Sequence, residues 1–124
     1  MGIKKFFWDS YAVIETIKGN SNYNPYIDEE VIITIFNLTE IYFSALKDLG
    51  ETVAEKIYQQ YSPSVIEVPE TVIKKAMKFK LKNKYKNFSY TDCIGYIYAT
   101  ENDMIFLTGD EAFENLENVE FVKK

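Results

Sequence analysis

Four acidic residues, Asp9, Glu40, Asp92 and Asp110, are the side chains of this sequence best suited to chemistry. Asp9 follows the apolar run KKFFW and Asp110 follows MIFLTG. Those are the places where ligands gather when strands lie parallel, outside their carboxyl ends. There is no histidine, so no side chain has an unperturbed pKa near neutrality. Two like charges about 4 Å apart repel by about 4 kcal/mol at an effective dielectric near 20. Several carboxylates sharing a pocket therefore favour a divalent cation. Oxygen ligands without histidine or a cysteine cage select hard ions, Mg2+ or Mn2+, over zinc, and such ions typically serve phosphate chemistry.

Each acid also has a structural reading. Asp9 and Ser10 precede a helix, and either suits its N-cap. Ser89 and Asp92 have the S-x-x-D spacing of a capping box. Asp110 lies in a T-G-D-E turn, where Asp is common for turn geometry. Glu40 is mid-helix, and its neighbours at three and four residues are Phe36, Phe43 and Ser44 rather than a lysine. A buried carboxylate there needs a raised pKa or a counter-ion; Lys47 folding back and a bound cation are the two alternatives.

The elements that must position these acids follow from periodicity. IKKFFW (3–8) reads as a first strand and SYAVIETIKG as a helix closed by Gly19. VIIT (31–34) reads as a short strand. Leu38, Ile41, Tyr42, Ala45, Leu46 and Leu49 predict a helix from Ile35 to Leu49, with a second from Glu51 to about Tyr61. SVIEV (64–68) alternates as a strand. PETVIKKAMKFKLKNK predicts a helix with an apolar stripe of Val72, Ile73, Ala76, Met77 and Leu81. A helix over 91–101, with Ile94, Ile97 and Tyr98 inward, precedes strands at 104–108 and 119–122. Strands alternating with helices imply the α/β class: a three-layer α/β/α sandwich with a mainly parallel central sheet, as one domain over 1–124.

Composition agrees with a folded chain. Hydrophobic residues make up 47% and charged residues 27%, which argues against disorder. No apolar run approaches the roughly 20 residues of a membrane span, and the lone Cys93 excludes an intrachain disulfide, so a soluble protein of the cytoplasm is expected. Net charge is −5, and all 14 basic residues are lysine. Seven of them fall in KKAMKFKLKNKYK, between Lys74 and Lys86. This stripe is either the solvated face of an amphipathic helix or a track for a phosphate backbone.

The same residues carry a resemblance to a known family over essentially the whole chain. FFWDS (6–10), NLTEIYF around Glu40, SYTDCIGYIYA around Asp92 and FLTGDEAF around Asp110 stand in the order and on the elements of a PIN-domain ribonuclease, which this sequence resembles. The resemblance implies one or two Mg2+ or Mn2+ ions held by Asp9, Glu40, Asp92 and Asp110, hydrolysis of RNA phosphodiesters, and orientation of the ligands by Ser10 and Thr108. Ala112 stands where many members carry a further acid, and Tyr11 replaces a residue often polar. The length resembles VapC-type toxins, which implies a homodimer and a small neutralising antitoxin. The lysine helix leads directly to the Asp92 helix, so Lys80, Lys82, Lys84 and Lys86 become candidates for guiding RNA. Two other classes compete: a PIN-like module that binds RNA or protein without cutting, and an RNA-processing nuclease outside any toxin–antitoxin pair. A Mg2+ phosphohydrolase or receiver-like domain is disfavoured, because Asp9-Ser10-Tyr11 lacks an adjacent acid and a D-x-D pair.

Overall fold

Alternation along two short parallel strands divides the core. In the computed structural model, which describes residues 4–123, β1 (Lys5–Trp8) pairs in parallel with β2 (Met104–Thr108), placing Phe7 opposite Phe106 and Trp8 opposite Leu107. Successive side chains of a strand face opposite ways. Phe7 and Phe106 therefore point to one side, with their rings stacked at 6.0 Å, and Trp8 and Leu107 point to the other. On the Trp8 side the core is filled by α1 (Ser10–Ile17), α2 (Ile35–Leu49) and α3 (Glu51–Tyr61), through Val13, Leu38, Ile41 and Ile57. On the Phe7 side it is filled by α4 (Glu70–Lys82) and α5 (Tyr90–Glu101), through Ala76, Ile94, Tyr96 and Ala99. β3 (Val119–Phe121) adds a further parallel strand beside β2, giving the order β1-β2-β3. Helices on both faces of a parallel sheet make the three-layer α/β/α sandwich that the periodicity predicts.

Two expected strands are reduced to edges. Segments 31–34 and 64–68 share one parallel bridge, Ile33 with Val65. Trp8 N donates to Ile32 O at 3.0 Å, so this bridge continues the sheet beyond β1. The ladder cannot extend, because Thr34 is already the cap of α2 and a 3-10 turn containing Pro63 occupies Ser62–Ser64. In α4 the buried face is rotated from the expected stripe. Val72 and Ala76 are buried, with Met77 and Phe79 packed beside them, whereas Ile73 is at the surface and Leu81 is 72% exposed. Spacing of four then three around Phe79 describes the inner face better than one through Leu81. Ile3 of the first expected strand lies outside the described residues.

Candidate active site

Asp9 is the first residue beyond β1, and its backbone N–H still pairs with Leu107 O at 3.0 Å. By position it is the N-cap of α1, yet its side chain makes no capping hydrogen bond. Instead the hydroxyl of Thr108, the last residue of β2, donates to Asp9 Oδ2 at 2.7 Å. Both side chains are buried. The same Thr108 oxygen accepts from Asp110 N at 3.0 Å, and Asp110 Oδ1 accepts from Ala112 N at 3.0 Å. Asp110 thus caps the short turn after β2, as its turn reading anticipates.

Glu40 has a polar partner that is not Lys47. Ser10 Oγ donates to Glu40 Oε1 at 2.6 Å, Asn37 Nδ2 donates to Ser10 Oγ at 2.9 Å, and Thr34 Oγ1 donates to Asn37 Oδ1 at 2.7 Å. Thr34 and Asn37 also form the capping box that starts α2. One buried polar chain therefore runs from a helix start to the mid-helix carboxylate. Sequence reasoning misses Thr34 and Asn37, although T-x-x-N before an apolar-periodic run is a capping signal.

Asp92 satisfies its structural reading as well. Ser89 N donates to Asp92 Oδ2 and Asp92 N donates to Ser89 Oγ, both at 3.0 Å, completing a capping box for α5. The capping bond uses one carboxylate oxygen and leaves Oδ1 for another partner. Asp92 lines an open depression of about 650 Å³ together with Asp9, Glu40 and Asp110. All four predicted acids meet there, with Ser10 and Tyr11.

Their electrostatics reflect that convergence. Burial, followed by the charges of Asp92, Asp110 and Glu40, pushes the Asp9 carboxyl up to about 8, against the opposing hydrogen bond from Thr108. Burial raises Asp92, with Asp110 adding to it, while the Ser89 hydrogen bonds and the charge of Lys80 pull it down. Burial also raises Glu40, opposed by the Ser10 hydroxyl and reinforced by Asp92. A cation would relieve this mutual repulsion. The donor set, oxygen alone, fits a hard ion such as Mg2+ or Mn2+. Among the described residues no three such side chains are drawn together as a ready metal cage; Asp9, Glu40 and Asp92 turn towards Thr108, Ser10 and Ser89 instead.

The lysines divide. Lys80 is half-buried, reaches Phe88 O with its ammonium, and lies 5.1 Å from the centre of the Tyr90 ring. Lys82 ends α4, and Lys84 and Lys86 stand in the turn that follows; all three are exposed. Among the described residues none of these three forms an ion pair, whereas Lys74 and Lys75 pair with Glu70 and Glu101. Gly109, between Thr108 and Asp110, is a further residue that sequence reasoning passes over. A Cβ there would stand 2.4 Å from Tyr11 Cε1 and 2.7 Å from the Tyr23 hydroxyl. That hydroxyl is buried and has no hydrogen-bond partner among the described residues.

The sequence matches the PIN domain family over residues 7–119. This chain belongs to the PIN-domain family. Among solved structures, this PIN domain is similar to Mycobacterium tuberculosis VapC20, described as a sarcin-ricin loop cleaving toxin, with a TM-score of 0.78 at 14% identity over 95% of this chain and 99% of that one. A toxin–antitoxin complex from Klebsiella pneumoniae aligns with a TM-score of 0.76 at 13% identity, over 94% of this chain and 96% of that one. A DNA-bound VapBC complex from Salmonella typhimurium aligns with a TM-score of 0.70 at 15% identity and 98% of both chains. At such identities the likeness concerns the fold. No curated protein matched the sequence.

Proposed function

We propose that this PIN domain is a divalent-metal-dependent endoribonuclease and the toxin of a toxin–antitoxin pair. One observation carries the nuclease reading: Asp9, Glu40, Asp92 and Asp110, up to 101 positions apart, line one open depression at the carboxyl end of a parallel sheet, where burial and neighbouring carboxylates raise the proton affinity of Asp9, Asp92 and Glu40. These four would hold Mg2+ or Mn2+, which when bound supplies activation of water and neutralisation of charge on a phosphodiester. The chain's own part is to keep the carboxylates apart and aimed. Thr108 fixes Asp9, the Thr34–Asn37–Ser10 chain fixes Glu40, and Ser89 fixes Asp92 through one oxygen. Lys80 offsets charge beside Asp92, and Lys82, Lys84 and Lys86 would meet the RNA backbone.

The test is cleavage of a labelled RNA by purified protein with Mg2+ or Mn2+. Cleavage is expected to stop with chelator, return with metal, and fall by at least about a hundredfold in Asp9→Asn and Asp92→Asn. Full activity in either variant overturns the site. The toxin role, resting on the likeness to VapC20 and the two toxin–antitoxin structures, predicts growth arrest on expression, relieved by Asp9→Asn and by a small protein encoded beside it. Light scattering tests the associated expectation of a homodimer.

A second reading, a PIN module that holds RNA without cutting it, is favoured by one observation, the lack of a ready metal cage among the described residues. It predicts RNA affinity that survives chelator and no cleavage with either metal.

A further inference from the structure

The four-carboxylate depression has a neighbour of different chemistry. Tyr11 and Asp110 belong to both, and beyond them opens a second depression of about 560 Å³, walled by Glu111, Glu114, Phe121 and Lys123. Tyr11 and Phe121 are half-buried, and both line this depression. The Tyr11 ring is held in place by the bare backbone of Gly109, where even a Cβ would come to 2.4 Å of it. Glu111 and Glu114 are exposed, and neither side chain takes part in a hydrogen bond or ion pair among the described residues. Asp110 spends one oxygen on Ala112 N.

This is a poor site for phosphate, since three carboxylates face one lysine. It suits a nucleobase. Aromatic faces stack on any base, typically contributing about 1–3 kcal/mol each. Ionised carboxylates accept hydrogen bonds and cannot donate them, so the wall rewards a base that presents donors. Guanine alone offers two adjacent N–H groups, from its ring N1 and its exocyclic amino group, to a single carboxylate. Adenine and cytosine present an amino group beside an acceptor, and uracil presents one N–H between two carbonyls.

We propose that this second depression is a nucleobase subsite that takes guanine next to the phosphate to be cut, stacked between Tyr11 and Phe121 and read by Glu111 or Glu114. The inference rests on the ribonuclease reading for the neighbouring phosphate, and it adds a substrate preference to it.

Two measurements test it. In the first, Asp9→Asn protein in chelator is titrated with guanosine, adenosine, cytidine and uridine while backbone amide resonances are followed. Guanosine is expected to bind about tenfold tighter than the others, shifting the amides of 109–114 and 119–123. The preference should be lost in Glu111→Gln/Glu114→Gln, two surface changes that leave the core intact, and all binding should weaken in Phe121→Leu. In the second, cleavage sites are mapped on RNA of random sequence. Wild-type protein is expected to cut beside guanine at least about tenfold more often than beside the other bases, and the double variant to lose that bias. Equal binding of the four nucleosides, shifts elsewhere on the surface, or unbiased cutting overturns the subsite while leaving the ribonuclease reading intact. Guanosine binding at 109–114 with no RNA cleavage overturns the ribonuclease reading and retains the guanine site.

Discussion

Thr108 donates its hydroxyl to Asp9 at 2.7 Å across 99 residues of sequence, joining the ends of two paired strands through a single side-chain bond. The bond opposes the burial that lifts the Asp9 proton affinity. Thr108→Val should therefore raise the Asp9 pKa further and cut RNA cleavage near pH 7 by about 10–100-fold, with the acidic limb of the pH–rate profile moved to higher pH. Thr108→Ser should restore both. An unshifted pH profile in the valine variant would remove Thr108 from the site.

Metal-free protein should lose stability as pH rises. Asp9 holds its proton up to about 8 in the folded state, against 3.8 for the ordinary carboxyl. The folded state thus binds more protons than the unfolded one across that window. The contribution is complete below pH 3.8 and is lost as pH climbs through 8. Asp92 and Glu40, both raised, act in the same direction. Thermal melts in chelator should show a fall on the order of a few kcal/mol between pH 5 and pH 8. Asp9→Asn should flatten it and stabilise the protein at pH 8, and Mg2+ or Mn2+ should stabilise only the wild type.

Ser10 and Asn37 should separate activity from stability. Ser10→Ala removes the donor to Glu40 and leaves the α2 capping box intact. It also leaves the buried Asn37 Nδ2 without its acceptor, so its cost in urea unfolding should be about 1–3 kcal/mol, while cleavage falls by about tenfold or more. Asn37→Ala breaks the capping box as well, adding about 1 kcal/mol of destabilisation. Equal effects of both variants on activity and stability would contradict the relay.

Gly95 in α5 is required by packing rather than by backbone conformation. An added Cβ would come to 2.6 Å of Phe7 Cε1 and 3.3 Å of Phe106 Cε1, within the stacked pair at the centre of one core. Gly95→Ala should destabilise by about 1–3 kcal/mol in urea titration. No loss would mean that the Phe7 ring turns aside freely.

Replacing Lys82, Lys84 and Lys86 with Gln should weaken RNA binding and reduce the slope of log affinity against log salt by about 0.7 for each phosphate that is no longer neutralised. Binding to the Asp9→Asn protein, followed by fluorescence anisotropy at several salt concentrations, measures this. An unchanged slope would return these lysines to the role of a solvated helix face.

The order of helices and strands is legible in the sequence because each long element buries one periodic face. Segments 31–34 and 64–68 read as strands because β-branched residues fit an edge bridge as well as a ladder, and only the adjacent Thr34 cap and Pro63 turn decide between them. The α4 face is misread at Leu81 because Val72, Ile73, Ala76, Met77, Phe79 and Leu81 spread over more of the helix than one buried face, so spacing alone does not fix its phase. For the acids, the capping and pocket readings are not alternatives. Asp92 caps α5 with one oxygen and lines the depression. What spacing cannot express is the polar chain behind Glu40, since Ser10 and Asn37 meet only after α1 and α2 pack together.

The pairing of β1 with β2 has a consequence for biosynthesis. Asp9 is made well before its partner Thr108 and its neighbour Asp110, which come about a hundred residues later. Until residue 110 has left the ribosome, the emerging chain has neither the strand that holds Asp9 nor the fourth acid. The order in which the chain appears therefore delays completion of the four-acid site until the second of these strands has been made.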